Sequence, residues 1–275
     1  MTVRLLFLPL LTAAIPALAQ PHMDGGSAVV PSSHAQTDSH TPDPGHMQGS
    51  APGPAIGHAT EHAMGGGLQA HAVFEQFEAR VGAAPNAFRW HGQAWFGTDT
   101  DRLWLKSEGA VLGSGQVDDG RQELLYSRAV STYFDLQAGV RSDLDSGTGR
   151  TWAALGVRGL LPHFVELETT AYASNGGHYA LRLSASYDIL LTQRLVLQPQ
   201  ADINLYSKAD PGRHIGAGLS SVDAGLRLRY DVTRGFSPYV GVAFSGRMGE
   251  TARLAAQEGD PATAIRFVFG IRGGF

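Results

Sequence analysis

The 275-residue chain contains no cysteine. That excludes disulfides, Cys-based zinc and iron–sulfur sites and thiol nucleophiles. It also lacks an excess of positive charge, since 21 Lys+Arg against 25 Asp+Glu leave a formal net charge of −4. Nucleic acid, which selects basic proteins, is therefore not an expected partner. Beyond the N-terminal leader, no segment approaches the roughly 18 consecutive apolar residues that a membrane-spanning helix needs. A chain of this kind crosses a bilayer only as a closed β-barrel. Catalytic signatures are missing too: there is no serine with a placed base, no phosphate-cradling glycine loop and no zincin spacing, so an enzyme is not expected.

Residues 1–19 have the layout of a secretory signal. Arg4 supplies the basic start, Leu5 to Leu11 and the following alanines the apolar stretch, and Ala17-Leu18-Ala19 the small-x-small cleavage site. Cleavage there leaves a tail over 20–72 with its own absences: from Gln20 to His71 it has no Lys, Arg, Phe, Tyr or Trp. What it does have is seven of the eleven histidines and three of the five methionines. Six scattered prolines and a Gly65-Gly66-Gly67 run accompany them without any helical or strand periodicity, so disorder is expected. The ligand-type side chains are His22, Met23, His34, His40, His46, Met47, His58, His62, Met64 and His71. Thioether sulfur is a soft ligand that selects Cu(I), and imidazole suits copper, zinc and nickel, so copper is the first candidate cargo. Pro21 has no N–H to surrender, which removes the square-planar Cu(II) site that a third-position histidine otherwise builds. The bland alternative is a polar spacer with incidental histidines.

From Val73 to Phe275 the pattern changes to strict alternation. Phe134, Leu136, Ala138 and Val140 interleave with Asp135, Gln137, Gly139 and Arg141; Tyr179, Leu181, Leu183 and Ala185 interleave with Ala180, Arg182, Ser184 and Ser186. Similar segments recur near 73–81, 88–96, 102–110, 122–130, 150–159, 165–171, 195–205, 222–230, 236–245 and 265–271. The total is twelve antiparallel strands, an even number that returns both ends to one side. Short links alternate with longer ones at Ser142–Gly149, Ser207–Leu219 and Gly246–Pro261, and aromatics cluster near strand ends, as in outer-membrane barrels. The last residue, Phe275, continues the apolar face. A soluble β-sandwich or lipocalin-like barrel is the competing architecture. Pro199 does not suit a central strand and predicts a bulge or a strand end.

Alternation sends Glu78, Arg80, Lys106, Glu108, Glu123, Arg141, Arg158, Arg182, Asp202, Arg227 and Arg272, among others, into the lumen. Twelve strands make a narrow barrel, and paired charges plugging it are favoured over a conducting pore. Glu166 and Glu168 are expected to form a salt-bridge ladder with Arg182 rather than an acid–base pair. His91 is the histidine expected to face inward near the tail, either passing metal from tail to lumen or filling a structural role.

Longer runs add a resemblance. They are Trp90-His91-Gly92-Gln93-Ala94-Trp95, Asp101-Arg102-Leu103-Trp104-Leu105-Lys106-Ser107-Glu108-Gly109, Leu124-Leu125-Tyr126-Ser127-Arg128-Ala129, Asp135-Leu136-Gln137-Ala138-Gly139-Val140-Arg141, Arg150-Thr151-Trp152-Ala153-Ala154-Leu155-Gly156-Val157 and Leu190-Leu191-Thr192-Gln193-Arg194-Leu195. Together they resemble the copper-resistance protein B family over most of 73–275. The resemblance implies an outer-membrane barrel, embedded in outer membrane lipid, that acts with periplasmic copper-handling proteins such as a copper oxidase or a copper carrier. Members of that family often carry Met-dense repeats in the tail, whereas this tail is His-rich, which points to mixed Cu(I)/Cu(II) capture. The resulting expectation is an outer-membrane protein with a periplasmic tail that binds copper and sequesters or exports it. A general small-solute porin with an incidental tail stands as the alternative, and a lipid hydrolase as a more distant one.

Overall fold

The computed structural model describes residues 67–275 apart from 83–84 and 145–148. The strands in chain order are β1 (Gln69–Gly82), β2 (Ala87–Gly97), β3 (Asp101–Leu112), β4 (Val117–Ala129), β5 (Phe134–Asp143), β6 (Thr151–Leu161), β7 (Val165–Ser174), β8 (His178–Ser186), β9 (Ile189–Leu190), β10 (Leu195–Tyr206), β11 (Gly218–Tyr230), β12 (Phe236–Arg247) and β13 (Thr263–Gly274). The two-residue β9 continues β8 past a break at Tyr187-Asp188, because both pair with β10. The wall therefore has the twelve staves that the alternation predicts. Every stave is antiparallel to its neighbours, β10 joins β11, and β13 joins β1, so the sheet closes on itself. Ala72 and Phe275 tie the seam with reciprocal N–H···O bonds of 3.1 and 2.9 Å. Closure satisfies the backbone groups that an open edge would present to lipid.

The barrel is inside-out relative to a soluble protein. Leu103, Leu105, Leu155, Val240 and Phe267 are exposed on the outer face, and Phe275 joins them. Glu78, Lys106, Arg121, Arg141 and Arg227 are buried inside. A soluble sandwich would reverse that assignment, so the arrangement is that of a membrane barrel. One rim carries both ends of the barrel domain and the turns at 98–100, 130–133, 162–164 and 231–235; the other carries the links at 113–116, 144–150, 175–177, 207–217 and 248–262. The longer links do gather at this second rim, although the β3–β4 and β7–β8 links there are short.

Three local features differ from the sequence expectation. First, β1 starts at Gln69 and takes His71 and Ala72 out of the tail and into the wall. Second, Pro199 lies within β10 in unbroken register with Leu226, and no bulge falls there in β10. The interruption is in the neighbouring stave instead. Tyr187 N–H donates to the Pro199 carbonyl at 3.1 Å. In an antiparallel strand a residue's N–H and C=O point the same way, so the N–H that proline lacks faces the β8–β9 break. Third, the last long link contains a helix, α1 (Gly249–Glu258), rich in good helix formers and closed by Gly259 at φ 82°.

Candidate functional site

Nine of the sequence-predicted copper ligands, His22, Met23, His34, His40, His46, Met47, His58, His62 and Met64, lie outside the described residues. His71 and His91 are in the wall. His71 pairs in register with Trp95, their ring centroids 6.4 Å apart, and Trp95 pairs in turn with Trp104, at 6.3 Å. Paired residues share a face, so His71 is half-buried at the start of an inward row that continues through Leu125, Gly139, Ala154 and Tyr172. Basic groups crowd the tryptophans: the Arg102 guanidinium sits 5.1 Å from the Trp95 ring and the Arg158 guanidinium 4.6 Å from that of Trp104.

His91 faces inward, as the alternation predicts, and lines a polar lumenal cavity of about 100 Å³. Register sets it between Gln76 on β1 and Glu108 on β3. Its neighbours in the cavity include Glu75, Lys106, Glu166 and Arg182. Among the described residues no three His, Cys, Asp or Glu side chains converge in a way that holds a metal ion. His163 sits in a tight turn after β6 at φ 68°, and His178 opens β8. His214 Nδ1 lies 2.5 Å from Glu258 Oε1 on the exposed surface.

The lumen itself is laced by side-chain bonds, several of them between staves that are not neighbours. Lys106 on β3 reaches Glu168 on β7 at 2.6 Å. Arg182 on β8 grips both carboxylate oxygens of Glu108 on β3 and also Asp202 on β10 at 2.9 Å. Arg121 adds a 2.5 Å contact to Glu108. Tyr172 donates to Glu123 at 2.6 Å, Arg158 to Gln93 at 3.0 Å, and Gln76 to Gln200 at 2.8 Å. Glu78 is fully buried and accepts from Arg80, Arg227 and Tyr239. All but the Gln76–Gln200 bond are charge-assisted, and their side chains cross the bore around the cavity.

The expected Glu166–Glu168–Arg182 ladder is not what forms. Thr170, not a glutamate, stands opposite Arg182, and the two charged groups find partners across the bore on β3. Sequence reasoning also missed Glu75. A bulge in β1 between Phe74 and Gln76 turns Glu75 inward beside Gln76, where it meets Arg272 at 3.2 Å. Strict alternation cannot see a bulge, because one extra residue reverses the face of everything after it.

The second rim is covered. The 207–217 link folds inward, and Arg213 donates to Asp143 at the end of β5, four staves away, at 2.7 Å. Trp152 Nε1 and Arg141 Nε bond the same carboxylate at 2.7 Å each, and Arg150 holds Asp210 at 2.7 Å. Helix α1 backs this link: Thr251 Oγ1 accepts from Gly216 N–H at 2.8 Å and Glu250 accepts from Ala217 N–H at 3.0 Å.

Comparison with known proteins follows the same line. A copper resistance protein B of Escherichia coli is 38% identical over 266 residues, which spans 92% of this chain and 90% of that protein. A copper resistance protein B homolog of Pseudomonas syringae pv. tomato is 36% identical over 267 residues, spanning 95% and 90% respectively. Among solved structures, the NanC porin aligns over 74% of this chain and 99% of its own at 10% identity, with a TM-score of 0.49. The family model described as copper resistance protein B precursor (CopB) matches residues 68–275. With the whole barrel covered by that match and two relatives above one-third identity, the chain belongs to the copper resistance protein B family.

Proposed function

We propose that this protein serves copper resistance by capturing copper on its N-terminal tail, with the barrel as its outer-membrane anchor. The observation that carries this reading is the ligand set: seven histidines and three methionines between Gln20 and His71, with no Lys or Arg to repel a cation. Imidazole and thioether together suit both Cu(I) and Cu(II). The tail enters the wall at Gln69, on the rim with the short turns. Short turns are the periplasmic habit of such barrels, which supports a periplasmic tail. The cross-lumen ion pairs and the covered second rim support sequestration over passage through the bore. The protein acts here as a binder and not as an enzyme, and a periplasmic copper oxidase or copper carrier is the natural exchange partner.

The test is competitive titration of Cu(I) and Cu(II) against the detergent-folded full-length protein and against a chain starting at Leu68, which keeps β1 whole. Loss of most binding in the short chain is the expected result. Equal binding by both would move the site to His71, His91 and the cavity. The cavity beside His91 favours one second reading, a small-solute porin with an incidental tail; absence of copper binding in either chain, with copper-indifferent conductance in planar bilayers, would support it.

A further inference from the structure

At the second rim, β7 and β8 are joined through Asn175, Gly176 and Gly177, between the paired residues Ser174 and His178. Gly176 and Gly177 stand at φ 79° and 69°, a region that glycine enters without strain. Asn175 and Gly176 are both exposed. The chain has three asparagines, Asn86, Asn175 and Asn204, and of these Asn175 alone precedes a glycine. That dipeptide carries chemistry of its own. The side-chain carbonyl carbon of an asparagine and the backbone nitrogen of the next residue can close a five-membered imide ring. A Cβ on that next residue hinders the closure, and Gly176 has none.

Both reacting groups are unengaged. Neither the Asn175 side-chain amide nor the Gly176 N–H makes a hydrogen bond among the described residues. Asn204 is the contrast: it lies inside β10, and its Nδ2 donates to Ser221 Oγ at 3.0 Å. Two side chains border the turn. A Cβ built on Gly176 would lie 3.5 Å from His178 Cδ2 and 3.9 Å from Nε2, so the imidazole stands beside this glycine. From there it can take the amide proton as a general base, directly or through one water. Lys208 Nζ donates to the Gly176 carbonyl at 3.1 Å, which places a positive charge against the turn.

We propose that Asn175 is a self-modification site, converted in the folded barrel to isoaspartate and aspartate. The Gly176 nitrogen, relieved of its proton, attacks Asn175 Cγ; the N–Cγ bond forms, the Cγ–Nδ2 bond breaks, and Nδ2 leaves as ammonia with the proton. Water then adds to either carbonyl of the imide and breaks one C–N bond. Opening at the backbone carbonyl leaves isoaspartate, with the chain running through the former side chain; opening at Cγ leaves aspartate. No oxidant or reductant is needed, and water is the one co-reactant. Each conversion adds one negative charge to the second rim beside Lys208. The inference concerns the β7–β8 turn alone and stands or falls independently of copper binding by the tail.

The placement of arginines makes the test direct. Trypsin releases Gly159–Arg182, in which Asn175 is the one side-chain amide, and Leu195–Lys208, which carries Asn204 as the internal control. The full-length protein, folded in detergent, is held at neutral and at mildly alkaline pH and sampled over time. Mass spectrometry follows both peptides, and an isoaspartyl methyltransferase with a labelled methyl donor counts isoaspartate. The expected result is that Gly159–Arg182 gains the mass of an amide-to-acid exchange and accepts methyl groups, faster at alkaline pH, while Asn204 stays intact. Asn175→Gln should abolish both signals, and His178→Gln should slow conversion at least about two-fold, as loss of a positioned base requires. An unchanged Asn175, conversion only after unfolding in urea, or equal conversion of Asn204 overturns the proposal. A rate unmoved by His178→Gln overturns the role given to the imidazole.

Discussion

Glu78 offers the sharpest test of how the lumen is held. It has 0% of its side chain exposed. Its Oε1 accepts from Arg80 Nε at 2.8 Å and Arg227 Nη2 at 3.0 Å, and its Oε2 accepts from Arg227 Nε and the Tyr239 hydroxyl, each at 3.0 Å. Glu78→Ala strands two buried guanidinium groups. Arg80 keeps only Asp223 at 4.0 Å, and Arg227 keeps Gln200 at 3.1 Å. Removing one partner of a buried pair costs about 3–5 kcal/mol, because the remaining charge is uncompensated. That is roughly two to three and a half decades in the folding equilibrium. Glu75→Ala is the matched control: its partner Arg272 is 3.2 Å away, but the side chains are 22% and 26% exposed. Partial hydration holds that loss to about 1 kcal/mol. Urea unfolding in detergent micelles, followed by tryptophan fluorescence and by gel migration, measures both. A Glu78→Ala barrel within about 1 kcal/mol of wild type, or no weaker than Glu75→Ala, would refute the claim that the buried cluster is a structural plug.

Two further predictions concern the second rim and the anomalous proline. Arg213→Ala removes the bond that draws the 207–217 link onto Asp143, so backbone amides of that link should exchange with deuterium faster than in the wild type; unchanged protection would show that Asp143 does not hold the link. Pro199→Ala restores an N–H that points at the β8–β9 break rather than at a ladder acceptor, so stability should change by no more than about 0.5 kcal/mol. A gain well above that would mean the break closes once the donor is present.

Much of the barrel was legible because alternation is a local property. Whether Leu103 or Trp104 faces out follows from period 2 and needs no knowledge of the neighbouring strand. The stave count held for the same reason, since each stave writes its own segment of alternation. His91 was placed inward correctly on that basis. His71 was not, because Gln69 to Ala72 is too short and too close to polar tail sequence to read as alternation. Glu75 was lost to the β1 bulge, and helix α1 was read as loop, although Ala252, Leu254, Ala255 and Ala256 ahead of Gly259 carry a helical signal.

The sequence by itself determined the two-faced wall, which is written in residues close together along the chain. Partners across the bore were decided only by the tertiary structure. Lys106 meets Glu168, and Arg182 meets Glu108, because stave tilt and register bring them to one level of a closed cylinder. Closure is a global constraint that sums the stagger of all twelve staves, and no single stretch of sequence contains that sum.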